Sequence, residues 1–438
     1  MTQLTVALEA ARQRFTERNP ASLKVHEWAI KQLPGGNTRT LLHTAPFPLS
    51  MKSGRDYRVW DEDGHEYTDF VGELSAGLYG HSNPIIHSAI QTTLSTIGLN
   101  LGSNTVHEVT YASLLCSRFN LDRVRFANSG TEANLHAIAG AKRVTGRRKV
   151  VVFGGAYHGA VLGFDADGRE MGNTVDKGEW VGGQYNDVEG AKRLIEGEVE
   201  GGVAAVLVEG MQGAAGCVLG TKEFLKQVEE SAKKVGAVFI LDEAMTSRFA
   251  PGGLQSILGL KPDITVLGKY LGGGLAFGAF GGTEAVMSIY DPRTAGALAH
   301  SGTFNNNTLT MSTGFAGLSK VYTPEVCTAF NASGDTFLAE LQRVTKGTRC
   351  CITGMGTIMT VHFMEKAKAP EDIKTKKDLV EVPEMKELFW LEMMEDGYWI
   401  ASRGTIALML VTPRGELDRF VGCVERFLKR HASLVGLT

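Results

Sequence analysis

The stretch from residue 222 to residue 242, KEFLKQVEESAKKVGAVFILD, combines two patterns that decide the fold. In Lys222–Val235 the apolar residues recur at helical spacing, which predicts an amphipathic helix. Val238–Leu241 is a short, continuous apolar run, typical of a strand that is buried on both faces of a parallel sheet. A helix that leads directly into a buried strand indicates an α/β protein.

Similar apolar runs recur on both sides of this stretch, and a second helical pattern covers Glu132–Val144. The further runs are Val124–Phe126, Val150–Phe153, Val203–Val208 and Ile264–Leu267. Runs separated by helical segments are typical of β-α-β units. We therefore expect a large domain, residues 54–307, with a mainly parallel sheet flanked by helices.

The C-terminal part of the chain has a different pattern. After Asn307 a long helical pattern is followed by strand candidates at Met355–Phe363 and Ile406–Val411 and by an amphipathic helix near Leu417–His431. This predicts a smaller α+β domain over residues 308–438. We expect residues 1–53 to join it.

The composition favours a small-molecule partner. Forty-five basic and 48 acidic residues give a net charge of -3, so no general field would gather nucleic acid or anionic lipid. No apolar run approaches the roughly 20 residues that span a bilayer, and the N-terminal stretch has no apolar signal core. The six cysteines lack a C-x-x-C pair, which favours reduced thiols and a cytoplasmic location.

Two ionisable residues follow predicted strands, where ligands bind in open parallel sheets. Asp242 comes after Val238–Leu241, and a partly buried carboxylate there needs a partner. A protonated pyridine nitrogen would satisfy it; a magnesium ligand or a helix cap are the alternatives. Lys269 ends the next run, and burial would make its amine a nucleophile towards an aldehyde. No Walker A sequence supports nucleotide binding, and we predict no metal site.

Two further stretches lie at the same edge of the predicted sheet. The turn that contains Ser129, Gly130 and Thr131 runs directly into a helix, and its N–H groups and hydroxyls would suit a phosphate monoester. A helix cap by Ser129 or Thr131 is the simpler interpretation. Tyr157, in a glycine-flanked segment, could stack on a flat ring or serve only in packing.

Taken together, six ordered motifs resemble those of the class III aminotransferases. They are NSGTEA (128–133), YHG (157–159), VEG (208–210), DEAMTSR (242–248), GKYLGGG (268–274) and SGTFNNN (301–307). The resemblance spans roughly Gly35 to Arg414. It implies the type I fold of pyridoxal-phosphate enzymes, a homodimer with active sites at the subunit interface, and pyridoxal 5'-phosphate that alternates with pyridoxamine phosphate.

The resemblance also assigns roles at the cofactor phosphate. Ser129, Gly130 and Thr131 would bind it, and Thr303 would reach it from the partner subunit. These four positions match the motifs of the family residue by residue.

At the cofactor ring, the resemblance implies that Tyr157 would stack on one face and Ala244 would lie against the other. Asp242 would pair with the pyridine nitrogen, and Lys269 would hold the cofactor as a Schiff base. Ala244 is smaller than the branched residue of many relatives. Met245 stands where typical ω-aminotransferases have a glutamine.

Met245 and the Pro34–Gly36 turn with Arg39 resemble a subgroup that contains glutamate semialdehyde aminomutase and the β-amino-acid aminotransferases, above all those acting on β-phenylalanine. In that subgroup Arg39 would hold a substrate carboxylate, for which a planar guanidinium is suited. Arg403 would accept the α-carboxylate of the keto acid, unless it forms an ordinary ion pair. Glu209 would pair with that arginine or merely cap a strand end.

The function that these resemblances imply is a ping-pong transamination from a β-amino acid, with aromatic ones such as β-phenylalanine favoured, to an α-keto acid such as 2-oxoglutarate or pyruvate. Lys269 would move a proton from Cβ to the cofactor carbon. One alternative is an isomerase, either an aminomutase or an amino-acid racemase, which needs no second carboxylate site. The other is a non-catalytic protein that keeps the fold to bind a cofactor.

Overall fold

The computed structural model describes residues 2–436 of the chain. Strands and helices alternate through its central part. The strands are β1 (Met51–Arg55), β2 (Arg58–Asp61), β3 (Glu66–Asp69), β4 (Arg123–Ala127), β5 (Lys149–Phe153), β6 (Trp180–Gly183), β7 (Val203–Glu209), β8 (Met211–Gln212), β9 (Val218–Leu219), β10 (Val238–Asp242), β11 (Ile264–Gly268), β12 (Gly278–Gly282), β13 (Cys350–Met355), β14 (Ile358–Phe363), β15 (Tyr398–Trp399) and β16 (Thr405–Ala407). The α-helices are α1 (Gln3–Arg18), α2 (Pro20–Ala29), α3 (Pro84–Thr92), α4 (Val106–Phe119), α5 (Gly130–Thr145), α6 (Val188–Glu196), α7 (Lys222–Val235), α8 (Leu254–Leu258), α9 (Glu284–Met287), α10 (Thr308–Ala316), α11 (Pro324–Thr345), α12 (Pro383–Glu395), α13 (Arg414–Arg430) and α14 (Ala432–Val435).

The central sheet has seven strands in the order β4-β12-β11-β10-β7-β5-β6. The pairs from β11 to β6 are parallel, whereas β12 runs antiparallel to both β11 and β4. The prediction of an α/β protein with a mainly parallel sheet is therefore confirmed, with one reversed strand. The apolar-run criterion misses β12 because three of its five residues are glycines, and a Cβ at Gly278 would overlap the Ser129 carbonyl.

Helices cover both faces of this sheet because successive strand residues point to opposite sides. In β5, Val150 and Val152 belong to the buried cluster that contains α5, while Val151 and Phe153 belong to the cluster that contains α6 and α7. A continuous apolar strand therefore contributes side chains to the hydrophobic core on each face of the sheet.

The helix bounds follow from capping residues. Helix α7 has the predicted bounds: the Thr221 side chain accepts a hydrogen bond from the Phe224 N–H at its start, and Gly236 takes a left-handed conformation at its end. In α5 the Ser129 hydroxyl accepts from the Glu132 N–H at 3.2 Å. This places the first turn of α5 at the carboxyl end of β4.

The N-terminal helices and the C-terminal residues share one hydrophobic core, in which α1 packs against α12. Strands β1, β2 and β3 form a sheet with β15, and β13, β14 and β16 form an antiparallel sheet. The Met355–Phe363 candidate is in fact the turn and second strand of a hairpin, reversed at Gly356, whose φ is +55°. Of the Ile406–Val411 candidate only the first two residues are in a strand. The division at residues 53 and 307 stays a prediction.

From residue 2 to residue 436, no helix combines the length and the apolar character that crossing a membrane requires.

Candidate active site

Three ionisable residues lie together at the carboxyl edge of the central sheet. Glu209 and Asp242 are the last residues of β7 and β10 and are direct partners in the parallel register. Lys269 follows β11, the next strand in the sheet. The sequence-based expectation that Asp242 and Lys269 share one edge is thus met by the geometry.

Asp242 is buried, and each of its carboxylate oxygens accepts hydrogen bonds. The Ala244 N–H donates to Oδ1 at 2.9 Å, while Oδ2 accepts from Nδ2 of Asn134 at 2.8 Å and from Nδ1 of His158 at 2.9 Å. Because a carboxylate only accepts, Nδ1 of His158 carries the proton. Burial alone would raise the pKa of Asp242, but the hydrogen bond and charge of His158, together with the hydrogen bonds from Ala244 and Asn134, outweigh it, and the pKa is lowered. The group therefore stays anionic.

Sequence reasoning did not assign Asn134 and His158, the two side chains that hold Asp242. Nδ2 of Asn134 also donates to the carbonyl oxygens of Gly130 and His158, at 3.1 and 3.0 Å. Among the residues that the structure describes, Nε2 of His158 and Oδ1 of Asn134 have no hydrogen-bond partner although both are buried. His158 belongs to the YHG motif, whereas Asn134 directly follows the NSGTEA motif and had no signal of its own.

Lys269 has a strained backbone and a depressed basicity. Its φ is +58°, a left-handed conformation that is uncommon for a residue other than glycine and is found at functional sites. Burial lowers the pKa of Lys269, and the nearby charge of Arg403 acts in the same direction, although Asp242 and Glu209 oppose them. The amine is therefore neutral at a lower pH than an ordinary lysine.

Glu209 accepts two backbone hydrogen bonds. Oε1 accepts from the Tyr157 N–H at 3.0 Å, and Oε2 accepts from the Gly213 N–H at 3.3 Å. Burial, with a contribution from the Asp242 charge, raises the pKa of Glu209 to about 7. The predicted pairing of Glu209 with Arg403 has no counterpart in the ion pairs of residues 2–436, so that role stays a prediction.

The turn before α5 has free donors at the same edge. The N–H groups of Gly130 and Thr131 belong to the first turn of the helix, where no acceptor exists within the helix. A Cβ at Gly159 would lie 2.7 Å from Cβ and 2.8 Å from Cα of Thr131, so only glycine allows this approach. Ser129 caps the helix, as the simpler interpretation expected, and its cap leaves the other donors available.

The remaining cofactor candidates differ in placement. Ala244 lies 3.7 Å from the position that a Cβ on Gly130 would take, so it borders the turn. The Tyr157 residue is 49% exposed, which leaves its ring accessible. Thr303 is exposed in the loop between α9 and α10, whose Asn305 contacts Asn128 at 3.0 Å. The role of Thr303 stays a prediction.

Arg403 is partly buried close to Lys269, and its Nε donates to Oγ1 of Thr405 at 3.1 Å. Burial lowers its pKa. No carboxylate within residues 2–436 forms an ion pair with Arg403. Within residues 2–436 the terminal nitrogens of Arg403 therefore have no ion-pair partner, and both interpretations of this arginine stay predictions.

Arg39 forms an exposed ion pair with Glu73. Glu73 belongs to a turn in which three consecutive residues other than glycine, from 73 to 75, have positive φ. The side chain of Met245 covers Gly213: its Sδ lies 2.5 Å from the position that a Cβ on Gly213 would take. Met245 thus packs on the segment that Glu209 binds.

Known proteins resemble this chain along nearly its whole length. The family model of the class III aminotransferases matches residues 42–414. The chain is 46% identical over 438 residues to an aminotransferase of Schizosaccharomyces pombe, covering 100% of this chain and 98% of that protein. It is 43% identical over 433 residues to the beta-phenylalanine transaminase of Variovorax paradoxus, covering 98% and 97%.

Solved structures agree with these sequence matches. The crystal structure of a beta-phenylalanine aminotransferase from Variovorax paradoxus superposes with a TM-score of 0.94 at 43% identity and covers 99% of both chains. In sequence, the chain is also 31% identical over 417 residues to a glutamate-1-semialdehyde 2,1-aminomutase of Chloroherpeton thalassium, covering 91% of this chain and 94% of that protein. The chain belongs to the class III aminotransferases, pyridoxal-phosphate-dependent enzymes of fold type I.

Proposed function

We propose that this chain transfers the amino group of a β-amino acid, preferentially an aromatic one such as β-phenylalanine, to an α-keto acid such as 2-oxoglutarate or pyruvate. The observation that carries the proposal is the pair of arginines. Arg39 would serve the carboxylate of the donor. Arg403, which has no ion-pair partner within residues 2–436 and is close to Lys269, would serve the α-carboxylate of the acceptor. An isomerase needs one such site, not two.

The residues at the sheet edge fit pyridoxal phosphate. The first-turn N–H groups of Gly130 and Thr131 would hold the phosphate, since a helix N-terminus favours an anion. Asp242, anionic and held on both oxygens, would pair with the ring nitrogen, and the exposed ring of Tyr157 would stack on the cofactor. Lys269 would bond to it covalently. When bound, pyridoxal phosphate supplies the aldehyde that takes up the amino group and a cationic ring that withdraws electrons.

Lys269 has the properties of the proton carrier in this proposal. Its lowered pKa leaves a larger neutral fraction at neutral pH, and a neutral amine can accept the proton from Cβ of the donor. The left-handed backbone and the buried strand before it hold the lysine at the edge. Asp242 contributes a fixed negative charge that proton transfer does not neutralise.

A second copy of the chain would complete the site. Thr303 has no side-chain hydrogen bond among the described residues, and the surface near its loop carries exposed apolar residues, namely Leu94, Leu99, Leu101, Val106 and Phe304. Such a patch supports a homodimer, as the resemblance implies. Sedimentation of the purified protein would test it: a monomer at micromolar concentration would contradict shared active sites.

The function is tested by supplying the purified protein, loaded with pyridoxal phosphate, with β-phenylalanine and either 2-oxoglutarate or pyruvate. We expect glutamate or alanine to form, and none to form in Lys269→Ala. Glutamate semialdehyde, supplied alone, is the matched test of the aminomutase alternative. Its conversion without an acceptor, together with no product from β-phenylalanine, would replace the proposed function with an isomerase.

A further inference from the structure

A line of hydrogen bonds runs from Arg403 into the interior of the protein. Nε of Arg403 donates to Oγ1 of Thr405 at 3.1 Å, Oγ1 of Thr405 lies 3.4 Å from Oγ1 of Thr360, and the Thr360 hydroxyl donates to Sγ of Cys217 at 3.2 Å. Thr405, Thr360 and Cys217 are 5%, 1% and 1% exposed. None of the three belongs to the motifs of the family, and the function proposed above does not use them.

The direction of these bonds follows from what each group can do. A guanidinium only donates, so Thr405 accepts from Arg403 and its own proton is free to point towards Thr360. Thr360 then donates to the sulfur. Every donor in the line points away from Arg403, an arrangement in which neighbouring hydrogen bonds strengthen one another.

The far end of the line is firmly anchored. Cys217 has a φ of +56° and ends the segment in which Gly213 donates to Glu209. The carbonyl of Gly216 accepts from the hydroxyl of Thr353 and lies 3.2 Å from Nε2 of His362. The base of the line is therefore a segment that the protein holds from two sides.

The consequence for Arg403 is a fixed orientation. Arginine has many rotamers, and ordering it on binding a ligand costs free energy. With Nε bound behind it, the guanidinium keeps both terminal nitrogens for a bidentate contact with a carboxylate. We infer that Thr405, supported by Thr360 and Cys217, is a positioning residue that holds Arg403 ready for the carboxylate of the α-keto acid. This inference rests on the proposed role of Arg403 as the acceptor site.

The experiment compares Thr405→Val, which removes the hydroxyl at nearly constant volume, with Thr405→Ser, which keeps it. We expect Thr405→Val to raise the KM for 2-oxoglutarate about tenfold, the factor that corresponds to ~1.4 kcal/mol. Thr405→Ser should stay within about twofold of the wild type, and Thr360→Val should give a smaller rise because it acts through Thr405. The KM for β-phenylalanine should stay unchanged in Thr405→Val, because the carboxylate of β-phenylalanine is assigned to Arg39.

A binding measurement on the holoenzyme provides a readout besides turnover. Glutarate, a dicarboxylate that cannot react, should bind about tenfold more weakly to Thr405→Val by calorimetry. Thr345→Val is the matched control, because Thr345 is a buried threonine in α11 whose hydroxyl contacts only backbone carbonyls. It should leave glutarate binding unchanged, and the thermal midpoints should show that all variants fold.

The outcomes separate this inference from the proposed function. If Arg403→Gln raises the KM for 2-oxoglutarate but Thr405→Val does not, the positioning role is wrong and the acceptor site stands. If Arg403→Gln leaves that KM at the wild-type value, both are wrong. Equal losses in Thr405→Val and Thr405→Ser, or equal changes in both KM values, would also overturn the inference, because they indicate a general packing effect.

Discussion

Replacing Gly159 with alanine should damage the phosphate end of the site, and the structure permits an estimate of the effect. The φ of Gly159 is +126°, so an alanine there costs roughly 1–3 kcal/mol in backbone strain. Its Cβ would also lie 2.8 Å from the Cα of Thr131, a backbone atom that no rotamer change can move away. Such overpacking costs another ~1–3 kcal/mol. Together, Gly159→Ala should destabilise the protein by about 2–6 kcal/mol.

The matched control is Gly178→Ala. Gly178 also has a positive φ, +81°, but a Cβ there would meet no atom within 4 Å, so only the strain remains. Thermal unfolding with and without added pyridoxal phosphate, plus titration of the cofactor, separates the two contributions. We expect Gly159→Ala to unfold several degrees below Gly178→Ala and to bind the cofactor at least tenfold more weakly. Equal midpoints and equal cofactor affinity in the two variants would refute the assignment of Thr131 to the phosphate.

Three further predictions concern charged groups of the site. Asp242→Asn should lower kcat by about 10²-fold or more, because a neutral amide cannot replace the fixed charge; steady-state transamination within tenfold of wild type would contradict this. Burial raises the pKa of Glu209 from 4.5, its value in the unfolded chain, to about 7 in the folded protein. Between these pH values the folded protein holds a proton that the unfolded chain has released, so the free energy of unfolding falls as the pH rises. Relative to wild type, Glu209→Gln should therefore gain up to about 3 kcal/mol between pH 5 and pH 8, measured from thermal midpoints, and a constant difference would argue against the raised pKa. Glu73→Gln should leave the thermal midpoint nearly unchanged and lower the KM for β-phenylalanine by roughly 1.4- to fivefold, since it frees Arg39 from a pair worth ~0.2–1 kcal/mol; a higher KM would mean that Glu73 orients Arg39 instead.

The parts of the fold that the sequence predicts are those with strong local signals. Helix α7 has its own caps and apolar stripe and is found with the bounds expected, and β10 is a continuous apolar run that extends one residue beyond the prediction, to Asp242. Strand β12 escapes because its glycines serve close contacts with neighbouring strands and have no local pattern. The Met355–Phe363 candidate merges the turn at Gly356 with the second arm of the hairpin because the turn is only two residues long, and the rest of the first arm, β13 (Cys350–Met355), was not predicted.

At the site, the sequence predicts which residues end the strands but not which side chains form hydrogen bonds with them. Asn134 and Asp242 are 108 positions apart, and Cys217 and Thr360 are 143 apart, so neither contact has a local pattern. Such pairs are products of tertiary packing. The same holds for Arg39, whose position in the sequence suggested a ligand but whose partner Glu73 depends on how two turns meet.

The reversed strand β12 has a mechanical consequence for Lys269. Gly268 pairs with Gly278, so the nine residues between them form a closed loop tied at both ends to the centre of the sheet. Within it the Tyr270 hydroxyl donates to the Ser247 carbonyl and Thr313 donates to the Gly272 carbonyl. These contacts restrain the backbone of the loop, and we expect it to open less readily than a surface loop. We therefore expect the Lys269 amine to move by rotation about its side-chain bonds, with little displacement of the main chain.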